Sequence, residues 1–382
     1  MEKVSVLLDQ IPHQYDIEIG HDLLANTGDW TKNCLSEKTK KIVIVSNAKV
    51  FRLYGAIVQK SLEKSGYKVQ IFLMGDGERY KNFRVFEKVL SFCSENNLKR
   101  TDAIVALGGG VVGDLAGFAA AAYLRGIAFL QIPTTLLSMI DSSVGGKTAV
   151  NTKFGKNLIG AFHQPSGVLI DVKVLQTLPK RELTAGFCEA VKQGAISDGN
   201  LFEQTSTFLE NYSPNQIKKY FENEKFILNL EKIISEQVSF KAQIVIRDEK
   251  ESAERIDAKS RKILNFGHTF AHALEKVTGY KRFKHGEAVG YGILFAAELS
   301  KKLAIFDKDG LKSLNDVVHR TGTLPNLRGI GSRDIFEAFA FDKKQIGGSL
   351  QWILLEDIGK PVIRQDISTS IVKETIKEFL GK

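Results

Sequence analysis

Asp102-Ala-Ile-Val-Ala-Leu107 runs straight into Gly108-Gly-Gly-Val-Val-Gly113-Asp114 and then into an alanine-rich stretch. A short run that is apolar at consecutive positions reads as a strand buried on both faces, the kind found in a parallel sheet covered by helices. Glycines directly after such a strand let the backbone approach a pyrophosphate, and free N–H groups at the start of the next helix face the anion. A G-x-G-x-x-G spacing by itself also fits a plain tight turn. Its strand-to-helix setting favours the nucleotide reading, although no acidic residue at the end of a following strand announces ribose binding.

The same alternation surrounds this segment. Lys41-Ile-Val-Ile-Val-Ser46 and Val69-Gln-Ile-Phe-Leu-Met74 flank a helical period from Val50 to Ser65, and a second helix starts near Asn82 with Phe83, Phe86, Leu90 and Cys93 on one stripe. Further strands are expected at Ala128-Phe-Leu-Gln-Ile-Pro133 and Gly167-Val-Leu-Ile-Asp-Val172. After Leu178-Pro179 the pattern turns helical almost to the end. The expected fold is therefore an α/β N-terminal domain (1–177) with a mostly parallel, Rossmann-like sheet, then an all-α C-terminal domain (178–382), with the active site in the cleft between them. A length of 382 residues fits two such units.

Charge interrupts the apolar residues at the start of the chain too early for a signal peptide, and no later run is long enough to span a bilayer, so a cytoplasmic protein without a membrane partner is expected. Cys34, Cys93 and Cys188 form neither metal nor redox spacing. The net charge of +9 is spread along the chain rather than gathered into a basic tail or stripe. That distribution argues against nucleic acid and suits a small anionic substrate.

Asp141-Ser-Ser-Val-Gly-Gly-Lys147-Thr148 ends like a P-loop but has Asp141 where the motif needs glycine. With Gly155-Lys156-Asn157 it supplies two lysines on glycine-containing loops, which suits a phosphorylated ligand, although a loop lysine is ordinarily just solvated. His268-Thr-Phe-Ala-His272, His285-Gly-Glu287 and the upstream Glu189 form the third constellation. Histidines four apart share a helix face, and imidazole with carboxylate suits zinc or a similar ion. Any one of these histidines would ordinarily be structural, but three of the seven in the chain fall between 268 and 285. Spacing leaves open which three side chains bind.

Gly77-Glu-Arg-Tyr-Lys81, the glycine turn through Phe118, Pro133 to Lys147, Gly155-Lys-Asn157, Leu178 to Lys192, Leu264-Asn-Phe-Gly-His-Thr269 and Asp342-Lys-Lys344 follow one another in an order that resembles the 3-dehydroquinate synthase family. The resemblance runs from about Lys41 to Lys360. It implies a carbon–oxygen lyase that converts 3-deoxy-D-arabino-heptulosonate 7-phosphate to 3-dehydroquinate and phosphate, with NAD and a divalent ion, Zn2+ or Co2+. Under it, Asp76, Glu78, Lys81, Gly108, Gly109, Gly110, Val111, Gly113, Asp114, Thr134, Thr135 and Thr177 would hold NAD, with Asp141, Lys147 and Lys156 nearby. Glu189, His268 and His285 would bind the metal. Asp141, Lys147, Lys156, Asn157, Lys192, Lys241, Glu251, Arg261, Asn265, His272 and one or both of Lys343 and Lys344 would meet the substrate. Arg125 would complete the phosphate site from the neighbouring subunit of a homodimer.

The chain departs from the family pattern in two places. Ala271 replaces a glycine, and the segment between Glu251 and Arg261 is longer than usual, so the acidic partner is Glu251 or Glu254. Competing readings are another sugar phosphate cyclase, such as 2-deoxy-scyllo-inosose synthase, and a metal-dependent polyol dehydrogenase. Retention of Asn265 and His272 weighs against the valiolone-type cyclases, and the paired Lys147 and Lys156 weigh against an enzyme of unphosphorylated alcohols.

Overall fold

The computed structural model describes residues 13–252, 254, 255, 257, 260–345 and 350–381, with backbone alone for 340–345. Its first half contains β1 (Ile17–Gly20), β2 (Lys41–Asn47), β3 (Lys68–Met74), β4 (Ala103–Gly108), β5 (Ala128–Pro133), β6 (Lys147–Thr152), β7 (Gly155–Phe162) and β8 (Gly167–Asp171). Six of these form one sheet in the order β1-β8-β5-β4-β2-β3, with every neighbouring pair parallel. Consecutive apolar residues serve both faces. Ile42, Ile44, Val105 and Leu107 join one buried cluster, while Val43, Val45, Ile104 and Ala106 join another on the opposite side.

The strand order reverses between β4 and β2. The chain passes from β2 to β3 on one side, then crosses back to β4 on the other and continues to β5 and β8. In an open parallel sheet this reversal opens a crevice beyond the carboxyl ends of the strands, where ligands bind. Asn47, Met74, Gly108 and Pro133 are those ends.

The glycine-containing segments 147–162 differ from the loop expectation. β6 and β7 pair antiparallel as a hairpin, so Lys147 and Lys156 stand on strands rather than on loops. Glycine content had masked strands whose register is set by pairing.

From Lys180 onward the chain is mostly helical, and helices Lys180–Ile196, Glu224–Arg247, His268–Val277 and His285–Lys302 carry the residues of the candidate site. The expectation of a wholly α-helical second half needs one correction, because β9 (Trp352–Asp357) and β10 (Lys360–Arg364) form an antiparallel hairpin. A run as short as Trp352-Ile-Leu-Leu355 cannot be told from helix by periodicity. One buried cluster extends from Ile42 and Leu107 in the sheet to Phe295 and Trp352 in this half.

Three helices approach one another to backbone contact. A Cβ added at Gly286 would lie 2.0 Å from the Ala185 carbonyl oxygen, and one at Gly292 would lie 1.9 Å from that of Gly267. The His285–Lys302 helix thus rests bare-backboned on the Lys180–Ile196 helix and on the turn that starts His268–Val277. Overpacking a tight interior costs about 1–3 kcal/mol or more. Gly292→Ala should therefore lower the unfolding free energy by about 1–3 kcal/mol or more, and an unchanged stability in denaturant titration would contradict this close approach.

Candidate active site

The three packed helices bring Glu189, His268 and His285 together, with one ligand atom of each within 4.8 Å of the others. Glu189 Oε1 lies 3.6 Å from His285 Nε2 and 4.0 Å from His268 Nε2. Neither Glu189 oxygen accepts a hydrogen bond, although Lys192 Nζ lies 2.8 Å from Oε2 as an ion pair. The carboxylate is fully buried. Burying such a group without hydrogen bonds costs several kcal/mol unless charge of the opposite sign compensates it.

Both imidazoles are oriented from behind. His268 Nδ1 lies 3.2 Å from the Phe266 carbonyl, and His285 Nδ1 lies 3.1 Å from Glu275 Oε2. When Nδ1 carries the proton it donates, Nε2 keeps its lone pair toward Glu189, as metal-ligating histidines do. Burial and the neighbouring Lys192 hold the His268 pKa well below the ordinary imidazole value, so its neutral form prevails. Burial opposes charge on His285 as well, but Glu275 and Glu189 outweigh it and raise its pKa. A divalent ion fits this donor set. It would share the buried carboxylate with Lys192 and take both Nε2 atoms. His272, Glu275 and His285 also have ligand atoms close together, but Glu275 already accepts from Lys156 Nζ at 2.9 Å.

Beside the triad is a buried ion cluster. Lys241 Nζ donates to the carboxylate and main-chain oxygens of Asp141. Burial would raise Asp141, but Lys241 and Lys192 hold it below the usual carboxylate range. Burial pushes Lys241 down to about 8 against the pull of Asp141. Arg261 is buried and donates to the carbonyls of Gly145 at 3.0 Å and Glu249 at 2.6 Å. Glu251 accepts from Lys147 Nζ and from Asn265 Nδ2, the latter at 3.1 Å, whereas Glu254 is exposed. Between the two acidic candidates, the structure thus joins Glu251 to this cluster.

The carboxyl edge of the sheet carries a second network. Lys81 Nζ, buried beneath it, donates to Asp114 Oδ2 at 2.8 Å and Asn157 Oδ1 at 2.6 Å, and pairs with Glu78 at 3.3 Å. Asn151 of β6 donates to Glu78 at 2.7 Å, so the hairpin is fastened to the loop after β3. Asn47 Nδ2 lies 3.4 Å from Asp76 Oδ1 on the β2–β3 side of the crevice, and Thr134 N–H donates to the Gly108 carbonyl at 3.0 Å. Thr177 contacts Tyr54 Oη at 2.5 Å. The glycine turn is a bare cradle. A Cβ at Gly109 would meet Thr135 at 3.0 Å and one at Gly110 would meet Ser142 Oγ at 2.9 Å. Together with Val111 and Gly113 in the first turn of helix Gly110–Ala122, it suits a dinucleotide pyrophosphate.

Some expected residues are not gathered here. Lys147 and Lys156 stand near opposite ends of the hairpin, about four or five strand residues or roughly 13–17 Å apart along it, and each is held by its own carboxylate, Glu251 or Glu275. Arg125 lies just before β5, at the amino edge of the sheet. The side chains of Lys343 and Lys344 lie outside the described residues. Glu275 was missed by reasoning from the sequence, yet it follows His268 by seven residues and His272 by three, which keeps all three on one helix face.

A profile described as the 3-dehydroquinate synthase N-terminal region matches residues 71–185, and one described as its C-terminal region matches residues 186–345. The 3-dehydroquinate synthase of Nostoc punctiforme is 39% identical over 98% of this chain and 99% of its own length. That of Thermodesulfovibrio yellowstonii is 40% identical over 99% and 100%. The chain belongs to the 3-dehydroquinate synthase family.

Among solved structures, the 2-epi-5-epi-valiolone synthase of Streptomyces hygroscopicus subsp. jinggangensis with NAD+ and Zn2+ bound matches with a TM-score of 0.85 at 25% identity, covering 99% of each chain. A 2-deoxy-scyllo-inosose synthase complexed with carbaglucose-6-phosphate, NAD+ and Co2+ matches with a TM-score of 0.81 at 26% identity, covering 95% of this chain and 96% of that one. A glycerol dehydrogenase from Schizosaccharomyces pombe, at 16% identity over 98% of this chain and 91% of its own, with a TM-score of 0.67, shares the fold.

His285→Ala should abolish stoichiometric metal retention, measured by elemental analysis after gel filtration, whereas His272→Ala should retain the metal. Loss of metal in the His272 variant would move the site to the second cluster. Metal binding must also displace the proton that Glu275 and Glu189 favour on His285. Below that raised pKa, apparent affinity should therefore weaken about tenfold per pH unit. A flat profile across this range would contradict His285 as a ligand.

Proposed function

We propose that this chain is a 3-dehydroquinate synthase, releasing phosphate from 3-deoxy-D-arabino-heptulosonate 7-phosphate as it closes the carbocycle in aromatic amino acid biosynthesis. The observation that carries this reading is the lysine wall around the triad. Lys192 and Lys241 are buried beside Glu189 and Asp141, Lys156 pairs with Glu275 beside His285, and Lys147, farther along the hairpin, pairs with Glu251. Such a wall suits a substrate with a phosphate and a carboxylate, and would be idle in a dehydrogenase of uncharged alcohols.

The cofactors are NAD, over Gly108–Gly113, and a divalent ion, Zn2+ or Co2+, on Glu189, His268 and His285. The structural neighbours with bound NAD+ and Zn2+ or Co2+ support this assignment. When bound, NAD supplies a reversible hydride acceptor and the ion supplies Lewis-acid polarisation of neighbouring hydroxyls. Lys147 with Asn265, and Lys156 with Asn157 and His272, hold the anionic ends of the substrate. Arg261 stacks charge behind Asp141 and Lys241. Lys241 Nζ, down at about 8, can hold or give up a proton near neutral pH. Orientation between residues 1–177 and 178–382 then serves ring closure.

Arg125 acts from a partner subunit in this reading. Leu124, Arg125 and Gly126 have φ of 49°, 66° and 118°, a strained exposed turn. The helix Gly110–Ala122 separates it from the glycine turn by about 20 Å. A homodimer would bring this guanidinium to the opposite site. Among the described residues no helix is long and apolar enough to cross a membrane, and a cytoplasmic setting is proposed.

Purified protein with NAD and Co2+ should release phosphate and 3-dehydroquinate in equal amounts from the seven-carbon substrate, without accumulating reduced nicotinamide, and should release none from glucose 6-phosphate. Stoichiometric reduced nicotinamide would revive the dehydrogenase reading. Lys147→Ala and Lys156→Ala should each lower affinity for a non-eliminable phosphonate analogue by about tenfold to a hundredfold, the usual worth of a charge-assisted contact. Near-normal affinity in both would refute the lysine wall.

A further inference from the structure

Glu275 is 3% exposed and sits one turn beyond His272 on the His268–Val277 helix. Its two carboxylate oxygens have separate tasks. Oε2 lies 3.1 Å from His285 Nδ1, and Oε1 accepts from Lys156 Nζ at 2.9 Å. Lys156 is held from a second side as well, since its ammonium lies 4.4 Å from the centre of the Tyr280 ring. Tyr280 adopts φ 57°, unusual for a bulky residue, and its N–H donates to the Glu275 carbonyl at 2.8 Å. The turn that ends the helix is thereby shaped to set an aromatic face beside the same lysine that Glu275 grips.

We infer that Glu275 is a positioning residue for two groups at once, fixing the His285 ring so that Nε2 faces Glu189 and fixing Lys156 beside the triad. This rests on the metal assignment of the proposed function. A carboxylate can accept on both oxygens, whereas a carboxamide accepts on one and donates on the other. Glutamine at 275 therefore fills the same space but must lose one arm, and it leaves the remaining arm without its charge. Carboxylates behind metal-bound histidines raise ligand basicity and lock the ring, and their loss typically weakens metal binding about 10- to 100-fold. The arm to Lys156 ties the placement of that cation to the placement of the metal ligand.

The test is chelator competition with Co2+ on the full chain, read by visible absorption, for wild type, Glu275→Gln, Lys156→Met and the double variant. Glu275→Gln should weaken Co2+ binding about 10- to 100-fold and shift the absorption bands. Lys156→Met should bind Co2+ with near wild-type affinity, because the arm to His285 survives. The double variant leaves no buried cation unpaired if the single glutamine variant folds poorly, and it should be as weak as Glu275→Gln. Wild-type affinity and spectrum in both glutamine variants would overturn the inference, as would equal loss in Lys156→Met. A wild type that binds no Co2+ would overturn it together with the metal assignment. A wild type that binds Co2+ but releases no phosphate would sink the reaction and leave the role of Glu275 standing.

Discussion

The buried Glu189 carboxylate is the constraint on which the rest of the site depends. It lies at the centre of three helices, accepts no hydrogen bond, and faces two imidazole nitrogens and one ammonium. A group so placed would destabilise the fold by several kcal/mol without compensating charge. Compensation requires the helices to meet at backbone distance, which is why Gly286 and Gly292 lie against the carbonyls of Ala185 and Gly267. Side chains at these positions would push His268 and His285 away from Glu189, so helix packing and donor geometry are one requirement.

The segment after β5 links this cluster to the sheet. The Ile140 carbonyl accepts from Gln193 at 2.9 Å, and Asp141 holds Lys241. Ser142 closes on Gly110 at the glycine turn. Three consecutive residues thus touch the helix that carries Glu189, the ion cluster and the glycine turn. The hairpin β6–β7 continues from the same segment, and Asn151 and Asn157 fasten it to Glu78 and Lys81. In the proposed function, chemistry that alternates between a nicotinamide and a polarised hydroxyl needs two sites at a fixed separation, which this stretch of chain would set.

Strands buried on both faces were legible because their apolar residues are consecutive, as in Ile42–Val45 and Ala103–Leu107. The hairpins were not. Gly155 and Gly160 made β7 look like loop, and Trp352–Leu355 was too short for its period to speak. Histidine spacing pointed to a metal but could not select Glu189 over Glu275 or Glu287, since the choice depends on how separate helices pack. Glu287 in fact faces away to Arg181, at 2.6 Å, and Lys284 N–H, at 2.8 Å. Glu275 escaped notice because its role arises from a tertiary contact with His285 and from a lysine 119 residues earlier in the chain.

The most direct test of the account is the position of the ion itself. Crystals of the Zn2+-loaded protein, with data collected at the zinc edge, should show one anomalous peak bounded by Glu189, His268 Nε2 and His285 Nε2, at about 2.0–2.2 Å from each donor. A peak between His272, Glu275 and His285, or no peak near Glu189, would contradict the claim that the buried carboxylate exists to hold a cation.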